Sequence, residues 1–310
     1  MTVKIKLCLA QMIMVLLSSF LGANDSFKQI SETGIRHSFL VTGNKTWLVD
    51  ENNKIEWEGP KNSRDGYVMP NGNILITYKN NVREFKRDHS VVWEYKLQAP
   101  NKEISTAIRL KNGNTLVTEL GTKPRLMEIT KDGKIAVEVP LQPETSNIHM
   151  QTRMARKLPN GNYLVPHLLA FAIKEYTPSG EVVRTIKTDL PELGGRKAKT
   201  WPFTAIQLPN GNIVANLTQG HKVAEFTPEG TLVRVATNKT TGKKLSDPCG
   251  GQFLKSGNRI AANHAAKKLE NKLIEVDESG KVVWEFQAKD LITHGIHIIT
   301  TNGNSEDYLR

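Results

Sequence analysis

The chain has almost no cysteine and none of the short motifs that define common enzyme classes. Only Cys8 and Cys249 occur among 310 residues. The sequence contains no Asp-x-Asp-x-Asp-Gly calcium loop, no Cys-x-x-Cys pair, no phosphate-binding loop and no Gly-x-Ser-x-Gly elbow, which excludes the classes those motifs define. Cys8 falls in an N-terminal stretch that we interpret below as a cleaved leader, so Cys249 would have no internal disulfide partner. We expect Cys249 to be a small buried residue.

The first residues are typical of a secretory leader. Lys4 and Lys6 precede an apolar stretch from Leu7 to Leu21, which ends in small residues at Ala23. This order predicts a signal peptide over residues 1–23. An uncleaved anchor is less favoured because the stretch is shorter than the roughly 20 residues a membrane span needs. We therefore expect a secreted or periplasmic single domain over residues 24–310, with no membrane span after cleavage.

The chain is basic, and its positive charge is spread along the sequence. The formal net charge is +11, and loss of the two leader lysines, with no acidic residue before Asp25, lowers it by two to +9. A basic exported protein suits anionic partners such as acidic or sulfated polysaccharide, lipid headgroups or wall polymers. Scattered basic residues do not indicate nucleic acid, and most should be solvated surface.

A Gly-Asn step recurs seven times, each time after a short apolar run. Asn-Gly between alternating apolar runs predicts a type I′ hairpin turn with two residues at positive φ. Recurrence about every 40 to 50 residues indicates an array of similar units. The steps are Gly72-Asn73, Gly113-Asn114, Gly161-Asn162, Gly211-Asn212, Gly257-Asn258, Gly303-Asn304 and, less clearly, Gly43-Asn44.

Each full unit contains four short runs rich in β-branched and aromatic residues. Four antiparallel strands in a repeated unit indicate a β-propeller blade. At the N-terminus only three runs precede the first full unit, and one orphan run, Gly295 to Thr300, follows the last. One plus three strands complete a sheet, which predicts an all-β, six-bladed propeller closed by pairing of the two chain ends. An open β-solenoid is the alternative, but its repeats are usually shorter.

Six of the eight histidines map to one predicted face of this ring, where segments entering the first strands meet the connections between second and third strands. Ligands generally bind where such segments converge. His297 occupies a position where the other blades carry Gly or Ala, so we expect its ring in the narrowest part of the channel. The six are His149, His167, His221, His264, His294 and His297.

Other polar and aromatic residues fall in the same layer. Glu119, Tyr78 and Asn263 are at or near the position equivalent to His167. The entering segments contain Arg64, Arg153, Gln151, Trp201 and Asp247. Trp201 is the best candidate for stacking on a ligand ring. The histidines could bind a metal, act as acid, base or nucleophile, or be polar channel residues bonded to water. The residues leave these alternatives open, and they identify no cofactor.

The unit LPNGNYLVPH (158–167) with IKEYTPSGEVVRTI (173–186), and its sister LIEVDESGKVVWEF (273–286), resembles exported bacterial propellers of the pyrroloquinoline-quinone-like repeat and arylsulfotransferase-like group. The likeness rests mainly on turn residues. It implies a periplasmic six-bladed propeller with channel histidines and an arginine, one histidine taking a sulfuryl group. His149, His167, His264, His294, His297 and Arg153 lie in the corresponding layer.

Three functional hypotheses follow, and whether the chain is an enzyme stays open. The first is a monomeric binding protein for an anionic or carbohydrate-like ligand, either a small molecule or a glycan. The second is an enzyme acting on sulfated or uronic-acid substrates, with Lys267 and Lys268 helping to neutralise charge. The third is a protein-interaction scaffold. The candidate catalytic residues are His297, His264, His167 and His149; the candidate ligand-binding residues are Arg153, Trp201, His221, Lys267, His294, Glu119, Tyr78 and Asn263.

Overall fold

The computed structural model describes residues 27–266 and 270–306, and within these ranges the chain is nearly all β. The signal peptide predicted over residues 1–23, Lys267 and Lys268 lie outside the described residues. No helix in the described ranges is long and apolar enough to cross a membrane.

The strands are short, and most contain four to seven residues. In chain order they are β1 (Phe27–Ile30), β2 (His37–Gly43), β3 (Thr46–Val49), β4 (Ile55–Gly59), β5 (Asp65–Val68), β6 (Ile74–Thr77), β7 (Asn81–Phe85), β8 (Val91–Lys96), β9 (Glu103–Arg109), β10 (Thr115–Leu120), β11 (Arg125–Ile129), β12 (Ile135–Pro140), β13 (Arg156–Lys157), β14 (Tyr163–His167), β15 (Ala172–Tyr176), β16 (Val182–Lys187), β17 (Thr200–Gln207), β18 (Ile213–Gln219), β19 (Lys222–Phe226), β20 (Leu232–Thr237), β21 (Pro248–Phe253), β22 (Arg259–Asn263), β23 (Asn271–Val276), β24 (Val282–Ala288), β25 (Thr293–Thr301) and β26 (Asn304–Ser305). Three 3₁₀ turns are Ile148–Met150, Pro191–Leu193 and Arg196–Ala198.

These strands form six antiparallel sheets arranged as a six-bladed β-propeller, which confirms the predicted fold. Blades 2 to 6 follow the chain order, as β5–β8, β9–β12, β13–β16, β17–β20 and β21–β24. Blade 1 combines β25 from the C-terminal part of the chain with β2, β3 and β4, and His297 lies opposite Leu40. The predicted closure of the ring by the two chain ends is therefore confirmed.

The closure has a second component that the sequence did not predict. Strand β1 pairs with β24 and adds a fifth strand to the outer edge of blade 6. The chain then continues into β2 of blade 1, so the N-terminal segment joins the first and last blades. The outer edge of blade 6 is then the four-residue β1 in place of the seven-residue β24, and short edge strands pair less readily with other chains.

The predicted type I′ turn is wrong for four of the five equivalent Asn-Gly turns. Gly72 has a φ of 83°, but of the Asn-Gly pairs only Asn302 and Gly303 are both at positive φ. The Gly72 N–H donates to the Met69 carbonyl and the Met69 N–H to the Asn73 carbonyl, both at 2.8 Å. This pattern is a three-residue turn with a left-handed glycine. Pro70 is compatible with this turn, because proline fixes φ near −65°, but it is not required, since Lys111 and Lys255 hold the same position in turns with the same hydrogen bonds. Gly43-Asn44 is not equivalent, since it joins β2 to β3.

The asparagine after each of five turns links its turn to the third strand of the same blade. Asn73 donates to Glu84 at 2.6 Å, and Asn258 donates to Glu275 at 2.6 Å. Several of these glutamates also contact a basic side chain of the next blade. The contacts are Glu84 with Arg109 (2.7 Å), Glu128 with Lys157, Glu225 with Arg259 (2.6 Å) and Glu275 with His37 (2.8 Å). The repeat thus carries electrostatic contacts between blades as well as turn chemistry.

Candidate functional site

A cavity of about 160 Å³ opens where the segments entering the first strands meet the connections after the second strands. Every blade contributes to it, because these segments converge at one end of the ring. Blades 1 to 3 supply His294, Arg64 and Ser105. Blades 4 to 6 supply most of the remaining wall, which comprises His149, Met150, Arg153, Leu168, Trp201, Phe203, Thr218, Gln219, Asp247, Cys249 and His264.

Arg153 is a buried cation that lacks a carboxylate partner. It lies in the segment between β12 and β13 and is 8% exposed. Its guanidinium donates to the carbonyls of Thr152, at 2.7 Å, and His149, and lies 5.6 Å from the centre of the Phe203 ring. Among the described residues no carboxylate forms an ion pair with it. Burial, together with the nearby charge of Arg64, lowers the pKa of Arg153 to about 10; the side chain nevertheless remains charged at neutral pH.

Arg64, by contrast, is neutralised within the protein. It pairs with Glu103 (Nη2 to Oε2, 2.8 Å), and the same oxygen lies 3.0 Å from Nδ1 of His149. Burial alone would raise the pKa of Glu103, but the hydrogen bond to His149 and the charge of Arg64 outweigh it and lower the pKa to about 2. Glu103 therefore stays ionised and fixes both basic side chains at the cavity wall.

Two histidines face each other across the junction of blades 6 and 1. The rings of His264 and His294 have centres 4.6 Å apart. Nδ1 of His264 lies 3.1 Å from the Thr293 carbonyl, which can only accept, so Nδ1 carries the proton and Nε2 is the potential acceptor. Burial, with the nearby His264 and Arg153, lowers the pKa of His294 to about 3. His294 is therefore neutral at pH 7.

The depressed pKa of His294 predicts an acid-sensitive contribution to stability. Between pH 6.5 and 3 the unfolded chain binds a proton at this histidine that the folded chain does not. The free energy of unfolding therefore falls as the pH drops through this window, by up to about 1.4 kcal/mol per pH unit. We expect His294→Asn to weaken the dependence of unfolding free energy on pH by up to about 1.4 kcal/mol per pH unit, which corresponds to one proton. Urea denaturation at pH 7, 6, 5 and 4 would measure it. An unchanged slope would contradict the assignment. Burial also lowers the pKa of His167. Because His167 is present in both the wild type and the variant, its contribution to the pH dependence does not affect the comparison.

Asp247 forms the part of the wall where blades 5 and 6 meet. Its carboxylate accepts from the Thr218 hydroxyl, the Gln219 N–H (2.6 Å) and the Gln219 side-chain amide (3.1 Å). Its own N–H donates to Nδ1 of His221 at 2.9 Å. Gln219, His221 and Asp247 have φ values of 55°, 50° and 59°. Such left-handed residues are uncommon and are held by their surroundings, so the carboxylate has a fixed position.

Seven of the residues placed in this layer from the sequence line the cavity, namely Arg64, His149, Arg153, Trp201, Asp247, His264 and His294. Gln151 does not line it, and its side-chain amide exchanges hydrogen bonds with the Gly121 backbone. His297 does not line it either. Its Nδ1 accepts the Val68 N–H at 3.0 Å and its ring packs edge-on against Tyr67, so it joins blade 1 to blade 2. His167 is fully buried and contacts the Tyr176 hydroxyl at 3.0 Å. His221 does not line the cavity, and its Nδ1 accepts a hydrogen bond from the backbone N–H of Asp247.

The remaining predicted residues lie outside the cavity wall. Glu119 is fully buried and accepts hydrogen bonds from Tyr95, Gln98, Asn101 and Arg125. Asn263 accepts from the Ser246 N–H and donates to the carbonyls of Lys244 and Asn271, so it joins the segment before β21 to the start of β23. The Tyr78 hydroxyl is buried and has no hydrogen-bond partner within residues 27–266 and 270–306, and burial raises its pKa. Lys267 lies outside the described residues.

Sequence reasoning placed Cys249 only as a buried residue and missed six lining residues, namely Ser105, Met150, Leu168, Phe203, Thr218 and Gln219. Cys249 is indeed buried and free, and burial raises the pKa of its thiol. Strand alternation was the available signal, because residues two apart share a face. Applied to Trp201 and Asp247, it indicates Phe203 and Cys249. In residues 27–266 and 270–306, no group of three or more His, Cys, Asp or Glu side chains is placed to hold a metal ion.

The fold and this site define a six-bladed β-propeller with a small cavity at one end of its ring, lined by both charged and aromatic side chains. The sequence model of the Mal s 1 allergenic protein-like family matches residues 78–268, which is more than half of the chain. The protein therefore belongs to the Mal s 1 allergenic protein-like family. No curated protein matches the chain in sequence.

Solved structures similar to this chain include a protein of unknown function from Bacteroides caccae, with 23% identity and a TM-score of 0.73 over 84% of this chain and 98% of that one. A streptogramin B lyase has 16% identity and a TM-score of 0.59, covering 88% and 92%. A catalytically inactive histidine-to-alanine variant of virginiamycin B lyase from Staphylococcus aureus with quinupristin has 15% identity and a TM-score of 0.57, covering 84% and 99%. At these identities the likeness concerns the fold.

Proposed function

We propose that the protein binds a small anionic ligand in this cavity, with Arg153 as the main counter-charge. The observation that carries the proposal is the burial of this guanidinium with two backbone carbonyls but no carboxylate among its described partners. An isolated charge in a protein interior is unfavourable by several kcal/mol unless it is paired. An anionic group of a ligand would supply that pairing.

The size and lining of the cavity limit what part of a ligand it accepts. A volume of about 160 Å³ is close to the 150 Å³ of an engineered cavity that binds benzene, and below the range usual for drug-sized ligands. Trp201, Phe203 and Leu168 provide apolar and aromatic surface beside Arg153. The cavity therefore suits one ring with its acidic group, or the terminal acidic residue of a glycan.

The proposal predicts that Arg153→Gln weakens binding of small acids by roughly 10- to 100-fold, because hydrogen bonds to charged groups contribute about 1.5–3 kcal/mol. Benzoate, phenyl sulfate and glucuronate would be titrated calorimetrically at low salt. Arg234→Gln is the matched control, since Arg234 pairs with Glu225 and Glu278 away from the cavity. Equal affinities in the Arg153→Gln and wild-type proteins, or no binding of any acid, would refute the proposal.

A second candidate is an enzyme that uses the same cavity, favoured by the close contact of His264 and His294. A neutral imidazole can accept a proton from a bound substrate. The lyase activity named for structures of this fold, and sulfuryl transfer in arylsulfotransferase-like propellers, make sulfated or uronic-acid substrates the ones to test. His264→Asn with unchanged ligand affinity and no turnover would support an enzyme. Turnover by His264→Asn equal to that of the wild type would exclude His264 as the acid or base, and no turnover by the wild type would favour binding alone.

The leader residues motivate the further proposal that this binding takes place outside the cytoplasm, in a secreted or periplasmic monomer. Cell fractionation and N-terminal sequencing of the mature chain would test it. A new N-terminus near Ala23 is the expected result, and a chain retained in the cytoplasm with residues 1–23 intact would contradict it.

A further inference from the structure

The cavity carries two opposite charges that do not pair with each other. Arg153 enters from the segment before blade 4, and Asp247 from the segment before blade 6, with Trp201 and Phe203 of blade 5 contributing the wall between these segments. In the described part of the chain, neither side chain forms an ion pair. The cavity is therefore bipolar, with a cationic and an anionic group on separate blades.

The Asp247 carboxylate retains capacity for one more donor. Two of its hydrogen bonds end on Oδ1, from Thr218 and the Gln219 N–H, and only one, from the Gln219 side chain, ends on Oδ2. All three donors are neutral. A carboxylate offers about four acceptor positions. Hydrogen bonds to Thr218, Gln219 and His221 at the β18–β19 connection hold Asp247 in place. Asp247 is thus a fixed acceptor at the cavity wall.

We infer that the ligand carries a hydrogen-bond donor as well as an acid, so that it is a hydroxy acid or an amino acid of about one ring in size. The inference rests on the proposed function. A plain anion would satisfy Arg153 but would be repelled by Asp247, whereas a neutral polyol would leave Arg153 without a counter-charge. A ligand with an acid at one end and a hydroxyl or ammonium group at the other satisfies both residues.

Four probes that differ by one group test this ligand class. Benzoate has only the acid, benzylamine only the donor, and 4-hydroxybenzoate and 4-(aminomethyl)benzoate have both. Calorimetry at pH 7 and low salt should show that at least one bipolar acid binds at least 10-fold more tightly than benzoate, and that benzylamine binds more weakly than either bipolar acid. Whether the hydroxyl or the ammonium compound is preferred identifies the donor.

Asp247→Asn provides the decisive variant, because asparagine has the same shape and tolerates the left-handed conformation. We expect the preferred bipolar acid to lose at least 10-fold in affinity, while benzoate binds equally or several-fold more tightly after removal of the negative charge. A merely structural role of Asp247 would weaken both ligands together. Lys134→Gln, on the exposed surface, should change neither affinity.

The outcomes separate this inference from the proposed function. If benzoate binds as tightly as the bipolar acids, or if Asp247→Asn weakens all acids alike, the inference is overturned while anion binding at Arg153 stands. If no acid binds in an Arg153-dependent manner, the proposed function fails and the inference fails with it.

Discussion

Replacing Glu275 with alanine is expected to destabilise the propeller by about 3 kcal/mol or more. Glu275 and His37 form a buried pair with Nε2 and Oε2 2.8 Å apart and side-chain exposures of 2% and 0%. The variant would leave His37 without this partner and would also remove the acceptor of Asn258. Breaking a buried pair by removing one partner typically weakens folding by about 3–5 kcal/mol. Urea denaturation followed by circular dichroism would measure the loss.

The position of this pair explains why its loss should affect the whole ring. His37 begins β2 of blade 1 and Glu275 lies on β23 of blade 6, so the contact crosses the junction that closes the propeller. Gln29 of β1 accepts from the His37 N–H and from Trp284 in the same junction. Phe39 and Phe286 pack together there with ring centres 4.9 Å apart. Opening this junction would expose the core between the first and last blades.

Two further variants make the expectation for Glu275 specific. Glu278→Ala, on an exposed side chain of the neighbouring turn, should change stability by less than about 0.5 kcal/mol. The double variant His37→Leu with Glu275→Leu should recover much of the loss, because apolar groups of similar size can replace a buried pair. A single Glu275→Ala variant as stable as wild type would contradict this account of the closure.

The blade count was predictable because the repeated turn is a local chemical signal. A Gly-Asn step marks the connection between first and second strands in blades 2 to 6, and the orphan run at the C-terminal end matched the blade that lacked a first strand. Strand β1 was not predictable in this way. It has four residues and no Asn-Gly turn, and its pairing is determined by the available edge of β24, which is a tertiary property.

The layer of the candidate site was predictable, but the direction of each side chain was not. His294 and His297 both lie on β25, but the pairing of β25 with β2 shifts at His294, because Thr42 lies opposite Gly295 and Gly43 opposite Thr293. Regular alternation therefore does not relate the directions of the two side chains. His294 lines the cavity, and His297 meets the Val68 N–H instead. His167 ends β14 and lies against Tyr176 inside its own blade. Register and neighbouring side chains decide such cases, and neither is encoded in the turn repeat.

Replacing Glu119 with alanine is expected to give the second large loss of stability. The same variant tests whether Glu119 binds ligand or stabilises the fold. Glu119→Ala is expected to destabilise the protein by about 3 kcal/mol or more. The Glu119 carboxylate is fully buried, and Arg125, Tyr95 and Asn101 would all lose it as a hydrogen-bond acceptor. Removing a buried acceptor leaves the desolvation penalty of its former donors uncompensated. Urea denaturation would measure this loss.

The same variant should leave the affinity for small acids within about twofold of wild type, since Glu119 does not line the cavity around Arg153. Glu138→Ala is a matched control because Glu138 also pairs with Arg125, at 3.2 Å, but is 49% exposed; we expect a change of no more than about 1 kcal/mol. A Glu119→Ala protein that keeps its stability but loses ligand binding would contradict the structural role and support the ligand-binding role predicted from the sequence. A Glu119→Ala protein that is less stable but binds small acids with wild-type affinity would show that Glu119 stabilises the fold and does not bind the ligand.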